Sequence, residues 1–282
     1  MTLINLAALS HSASRYTEAE DFLREALSVR RKALGNDHPG VARTLSNLGA
    51  ILREQGRYRE AEGLYEEALQ IQQQQLDEDH PDLSGSLYNL AMVLSDQEDY
   101  DRAEPLYRRA LAIDRKALGA DHPYVGLDMV ALANTLRDGG RYDEAEPLYR
   151  DARDLLRQKL PADHAYVARM LVGYGAWFTL QDRPDQAEPL LREALAIRRK
   201  VTETADRGIA EAQHWLGTCL AAGTHYAEAE PLLTDAYQIF HDILGNRHKF
   251  TRATLRSLTA LYEAWGRPDQ AAAYRALLAA AQ

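Results

Sequence analysis

The sequence predicts an all-α protein built as an array of helical hairpins, and three observations carry that prediction. The first is a period. Tyr16, Tyr58, Tyr100, Tyr142, Pro184, Tyr226 and Pro268 stand at a constant step of 42 residues, so seven units fit without insertion or deletion. Self-similarity at a fixed period of this size marks stacked supersecondary units. The second is the spacing inside a unit. In "VARTLSNLGAILREQG" Val41, Leu45, Leu48, Ile51 and Leu52 recur at three and four, and in "YREAEGLYEEALQIQQQQL" so do Ala61, Leu64, Tyr65, Ala68, Leu69 and Ile71. Both patterns are helical; propeller blades of similar period alternate at two, and no such alternation is present. The third is composition: 46% hydrophobic and 27% charged residues describe a folded, soluble chain.

Each unit therefore reads as helix A, a tight turn at "QGR", a longer helix B and a short loop ending in "DHP". The expected units are 1–38, 39–80, 81–122, 123–164, 165–206, 207–248 and 249–282, forming one continuous array. Helix A carries Gly49, Ala91, Ala133, Gly175 and Gly217 at one position, and helix B carries Ala19, Ala61, Ala103, Ala145, Ala187, Ala229 and Ala271 at another. Small residues there let two helices approach closely. Within helix B, Glu18, Glu20, Glu60, Glu62, Glu144, Glu146, Glu228 and Glu230 lie near the start, and Arg30, Arg31, Lys32, Arg115, Lys116, Arg198, Arg199 and Lys200 near the end. That polarity suits the helix dipole. Pro105, Pro147, Pro189 and Pro231 are expected within the first turn, fixing where helix B begins.

His38, His80, His122, His164 and His248 fall on the same grid, four of them in the D-H ladder "NDHP", "EDHP", "ADHP" and "ADHA". Successive units stack about one helix diameter apart, ~10 Å, whereas two zinc ligands must each lie ~2.1 Å from the metal. Neighbouring rungs cannot share a metal, and the ladder is read as punctuation. Gly35, Gly119 and Gly245 are expected as left-handed caps ending helix B. Pro39, Pro81 and Pro123 suit the first turn of the next helix A. Asp37, Asp79, Asp121 and Asp163 are expected to accept from its free amides.

Leu45, Leu48, Gly49, Leu52, Ala61, Tyr65 and Ala68 together resemble the tetratricopeptide repeat, lengthened from its usual ~34 residues. The long form, with "EAEPLYRRALAIDRKALGADHPYV", is similar to the repeats of kinesin light chains and their bacterial relatives. The resemblance spans nearly the whole chain. It implies a right-handed α-α superhelix of about seven hairpins whose helices A line a concave, ligand-binding face. Carried over position by position, that groove comprises Arg43, Asn47, Arg53, Tyr88, Asn89, Met92, Asn134, Arg137, Arg169, His214, Trp215 and Arg256, with Ser46 and Ala50 beside them. Asn5, Asn47 and Asn89 share one position and suit the backbone of an extended peptide, since an amide both donates and accepts. The arginines suit carboxylates, and Tyr88, Met92 and Trp215 suit apolar anchors. Glu54, Asp96, Asp138, Glu211 and Glu263 make the face mixed in charge.

The opening "MTLINLAALSHSAS" aligns Thr2-Leu3 with Thr44-Leu45, so it reads as a shortened first repeat and leaves open a larger parent chain. The expected function is a non-catalytic protein–protein interaction scaffold holding a peptide or partner segment in the groove. The alternative is a structural or regulatory segment of a larger assembly, meeting its neighbours through convex or terminal surfaces. No catalytic constellation, metal site or cofactor motif stands out from the periodic background, and a GxxxxGK[ST] loop is absent. A net charge of −9 opposes nucleic acid and anionic membranes as partners. The single cysteine, Cys219, fits a cytoplasmic location.

Overall fold

The computed structural model describes residues 3–12, 15–201 and 206–281; Thr2, on which the alignment of the first unit begins, lies outside them. Two compact units divide the chain, Met1–Gly139 and Gly140–Gln282. Among the described residues of the first lie α1 (Leu3–Ser12), α2 (Tyr16–Leu34), α3 (Pro39–Glu54), α4 (Tyr58–Gln73), α5 (Asp82–Asp96), α6 (Tyr100–Leu118) and α7 (Pro123–Asp138). The second holds α8 (Tyr142–Lys159), α9 (Ala165–Leu180), α10 (Pro184–Val201), α11 (Arg207–Ala222), α12 (Tyr226–Leu244), α13 (Lys249–Ala264) and α14 (Pro268–Ala280). Odd-numbered helices are helices A and even-numbered ones helices B. In each unit every helix packs on its neighbour in sequence, and α3, α5, α9 and α11 each also touch the next helix A.

Close approach at small residues builds the core. The helix B alanines, Ala19 through Ala271, are at most 1% exposed. Opposite them, a Cβ on Gly49 would sit 3.0 Å from the Tyr65 ring, one on Gly175 would sit 2.6 Å from Leu191 Cγ, and one on Gly217 would sit 2.7 Å from Leu233 Cγ. The bulk that helix A lacks is therefore supplied by the large helix B side chain facing it.

The turn from helix A to helix B repeats its hydrogen bonds. Arg57 N donates to Leu52 O at 2.9 Å, Asp99 N to Leu94 O at 2.9 Å, Arg183 N to Phe178 O at 3.0 Å, His225 N to Leu220 O at 2.8 Å and Arg267 N to Tyr262 O at 2.9 Å. This six-to-one bond is the Schellman closure, which needs a residue at positive φ. Gly56 and Gly266 fill that place with φ of 74° and 73°, while Glu98, Asp182 and Thr224 occupy it at 64°, 54° and 64°.

These turns, rather than proline, set where helix B starts. Pro105, Pro147, Pro189 and Pro231 are each the sixth residue of their helix. They lie beyond the amides that lack an intrahelical acceptor, so each forgoes one bond to the carbonyl four residues earlier. At the far end Gly35, Gly119 and Gly245 have φ of 85°, 93° and 80° but ψ of 166°, 148° and 172°. That is the extended positive-φ region open essentially to glycine alone, in place of the left-handed cap expected.

Ion pairs join successive helices B: Arg31 to Glu67 at 2.5 Å, Arg102 to Glu62 at 2.7 Å, Arg157 to Glu193 at 2.7 Å and Arg192 to Glu228 at 2.7 Å. They are partly or largely exposed, so each contributes at most about 1 kcal/mol.

Candidate functional site

The histidine ladder is built from the backbone outward. His38, His122, His164 and His248 are the N-cap residues of α3, α7, α9 and α13. Each Nδ1 accepts from the amide two residues on: Gly40 at 2.9 Å, Tyr124 at 3.2 Å, Tyr166 at 3.1 Å and Phe250 at 3.3 Å. His80 does the same for Asp82 N at 3.2 Å. An imidazole that accepts at Nδ1 is neutral and carries its proton on Nε2. Two of the aspartates expected to cap these helices form ion pairs elsewhere. Asp79 pairs with Lys116 at 3.1 Å and Asp163 with Lys200 at 2.5 Å, tying each loop to the end of the next helix B. Among the described residues no group of three or more His, Cys, Asp or Glu could hold a metal ion.

The solvent-facing side of helix A shows in the burial pattern. Between Val41 and Arg53, only Arg43, Asn47 and Ala50 are exposed and only Ser46 is half-buried; every other residue of that stretch is buried. The exposed residues are spaced four and three, which is one helical stripe. On the neighbouring α5, Tyr88, Asn89 and Met92 are half-buried and Gly85 is exposed. Tyr88 stands edge-on to Tyr107, ring centroids 5.2 Å apart. On α7 the stripe narrows, since residues 125–133 are all buried and Asn134 is half-exposed, accepting from Arg137 at 3.1 Å. In the second unit Arg169 and Trp215 are half-buried and Arg256 is exposed.

Three residues expected in the groove are buried instead. Arg53 is 9% exposed, with Nε 2.5 Å from Asp96 of α5 and Nη1 3.2 Å from Glu54. Burial works against its charge, but Asp96 and Glu54 outweigh that and hold the guanidinium firmly protonated. Arg137 is 7% exposed and pairs with Asp138 at 2.7 Å. His214 is 7% exposed, shares a 3.1 Å hydrogen bond with Thr254 of α13 and has its pKa pushed down to about 4 by burial. Arg53 and His214 thus face the next helix A, where they join successive hairpins.

The tetratricopeptide repeat family matches residues 1–74, 42–116, 82–158, 129–200 and 208–275. The chain belongs to the tetratricopeptide repeat family. No curated protein matches its sequence. Among solved structures, a Podosopora anserina putative kinesin light chain with nearly identical TPR-like repeats is 22% identical, with a TM-score of 0.59 over 72% of this chain and 96% of that one. BtubC (BKLC) from P. vanneervenii is 24% identical, with a TM-score of 0.58 over 86% and 92%. NprR, solved with its cognate peptide NprX, is 14% identical, with a TM-score of 0.70 over 95% of this chain and 73% of that one. The fold is that of a tetratricopeptide solenoid with repeats like those of kinesin light chains. No described helix of this tetratricopeptide array is long and apolar enough to cross a membrane.

Proposed function

We propose that this tetratricopeptide protein is a non-catalytic interaction scaffold that binds a peptide or partner segment on the exposed face of its helices A. One observation carries the reading: α3 and α5 present Arg43, Asn47, Asn89 and Met92 along a narrow stripe on largely buried helices, where the asparagine shared by the first units gives way to Ala131 and Gly173 and the positions of Arg43 and Met92 change from unit to unit. A surface that serves only packing would repeat with the fold. Asn47 and Asn89 supply paired donors and acceptors for an extended backbone, Arg43 a partner for a carboxylate, and Met92 an adaptable apolar contact. NprR has a related fold and was solved with a peptide, which agrees with this reading. The buried free thiol of Cys219 suits a reducing cytoplasm.

A pull-down from source lysate, compared with the Arg43→Ala, Asn47→Ala, Asn89→Ala combined variant, tests the assignment. Loss of the captured protein in the variant is the expected result; capture unchanged by the substitutions would remove the stripe as the binding surface.

A further inference from the structure

The sulfur atoms of the chain are unevenly sheltered. Met1 lies outside the described residues, and Met129 of α7, Met170 of α9 and Cys219 of α11 are buried. Among the described residues that carry sulfur, only Met92 of α5 reaches solvent. Burial also pushes the Cys219 thiol up from its ordinary value, which keeps the reactive thiolate scarce. Oxidation follows access, so a peroxide in solution meets Met92 first.

Packing does not demand a thioether at this place. One period away on either side the same position holds Ala50 and Asn134, and further along it holds Ala176 and Thr218. A methionine that served only as filler would sit as Met129 and Met170 do. Met92 stands instead three residues after Asn89 and four after Tyr88, so the three side chains share one face of α5. The Tyr88 ring is held edge-on against Tyr107, which leaves the unbranched Met92 as the adaptable apolar contact of that face.

We infer that Met92 is a site of reversible oxidation by peroxide, and that its sulfoxide closes the α3–α5 stripe to a partner. The inference rests on the proposed role of that stripe in binding. A lone pair of Met92 Sδ attacks one peroxide oxygen; the O–O bond breaks, the S–O bond forms and, with hydrogen peroxide, water leaves. Sulfur loses two electrons and the peroxide gains them. A flexible apolar side chain becomes polar and chiral. The new oxygen is an acceptor one helical turn from Asn89, where it competes for the amide N–H that the stripe would offer to an extended backbone. A sulfoxide reductase drawing two electrons from thiols returns the thioether and water.

The test treats the full chain with graded hydrogen peroxide and maps oxygen uptake by peptide mass spectrometry. Met92 is expected to gain one oxygen at least ~10-fold faster than Met129, Met170 or Cys219, which react only when the fold opens. The labelled full chain is then laid over a random-sequence peptide array before and after oxidation, and the spots lost by Asn47→Ala with Asn89→Ala report the stripe. Oxidation is expected to dim those spots at least ~5-fold, as burial of one unsatisfied acceptor requires, and sulfoxide reductase with dithiothreitol to restore them. Met92→Leu keeps the apolar contact and has no sulfur, so its spots are expected to persist in peroxide; unchanged circular dichroism separates the effect from unfolding. Uptake at a buried sulfur as fast as at Met92, stripe-dependent spots unmoved by the sulfoxide, or equal loss in Met92→Leu would each overturn the inference. An array without any spot that depends on Asn47 and Asn89 would overturn the scaffold reading itself, and the closing of the stripe with it, while the order of oxidation stands or falls by the mass map alone.

Discussion

One substitution, glycine to alanine, is expected to change sign with its place in the array. At Gly63, in the exposed face of α4, an added Cβ meets nothing within 4 Å. Alanine there gains about 1 kcal/mol from backbone entropy and helix propensity. At Gly175 the same Cβ would fall 2.6 Å from Cγ and 2.7 Å from Cδ2 of Leu191, a side chain with 0% exposure and no room to retreat. Overpacking of that kind costs about 1–3 kcal/mol, so the propensity gain is cancelled and Gly175→Ala is expected to destabilise by about 1 kcal/mol. Gly49 is intermediate: its Cβ would touch the Tyr65 ring at 3.0 Å, and the two contributions nearly cancel. Urea unfolding of the three variants reads the order directly, with amide exchange in α9 and α10 localising the effect, since repeat arrays can open unit by unit. If Gly175→Ala stabilised the protein as much as Gly63→Ala, the claim that small residues set the interhelical distance would fail.

Other outcomes follow from the same geometry. Asp96→Ala strands the buried Arg53 and is expected to cost about 3 kcal/mol by chemical denaturation, whereas Glu62→Ala at the more exposed Arg102 pair costs under about 1 kcal/mol; equal costs would contradict the burial argument. His122→Ala removes an N-cap acceptor and is expected to lower stability by about 1 kcal/mol, with His122→Asn retaining most of it in thermal melts. Thr224, β-branched at φ 64°, is strained, so Thr224→Gly is expected to raise the melting temperature. His214 has its pKa lowered from 6.5 to about 4, so the native state binds fewer protons than the unfolded chain between those values. Its contribution is present above pH 6.5 and is lost as the pH falls toward 4, by up to about 3 kcal/mol. A wild-type acid limb no steeper than that of His214→Gln would contradict this.

The period and the alternation of helices A and B were legible in the sequence because each rests on spacing alone, as in Tyr58 to Tyr100 or Val41 to Leu52. The small residues at Gly175 and Ala187 were legible for the same reason: packing distance is written in side-chain size. What escaped depends on direction rather than spacing. The "DHP" motif offers two capping acceptors, and only the backbone path into the helix brings His122 Nδ1 to the Tyr124 amide. The helix B prolines were misplaced because the Schellman turn starts the helix five residues before them. Arg53 and His214 share a helix with groove residues that reach the surface in whole or in part but point toward the next hairpin. A signal for Arg53 was available: Asp96 follows it by one period plus one residue, which places an acid beside it on the adjoining helix A.

The central claim is that the solvent-reaching stripe of α3 and α5 recognises the partner. It is tested most directly by titrating the captured partner segment against the intact chain and against Asn47→Ala with Asn89→Ala. The account predicts at least ~10-fold weaker binding by the variant, as the loss of backbone-directed hydrogen bonds from two side chains requires. Equal affinities, with both proteins equally helical, would contradict it.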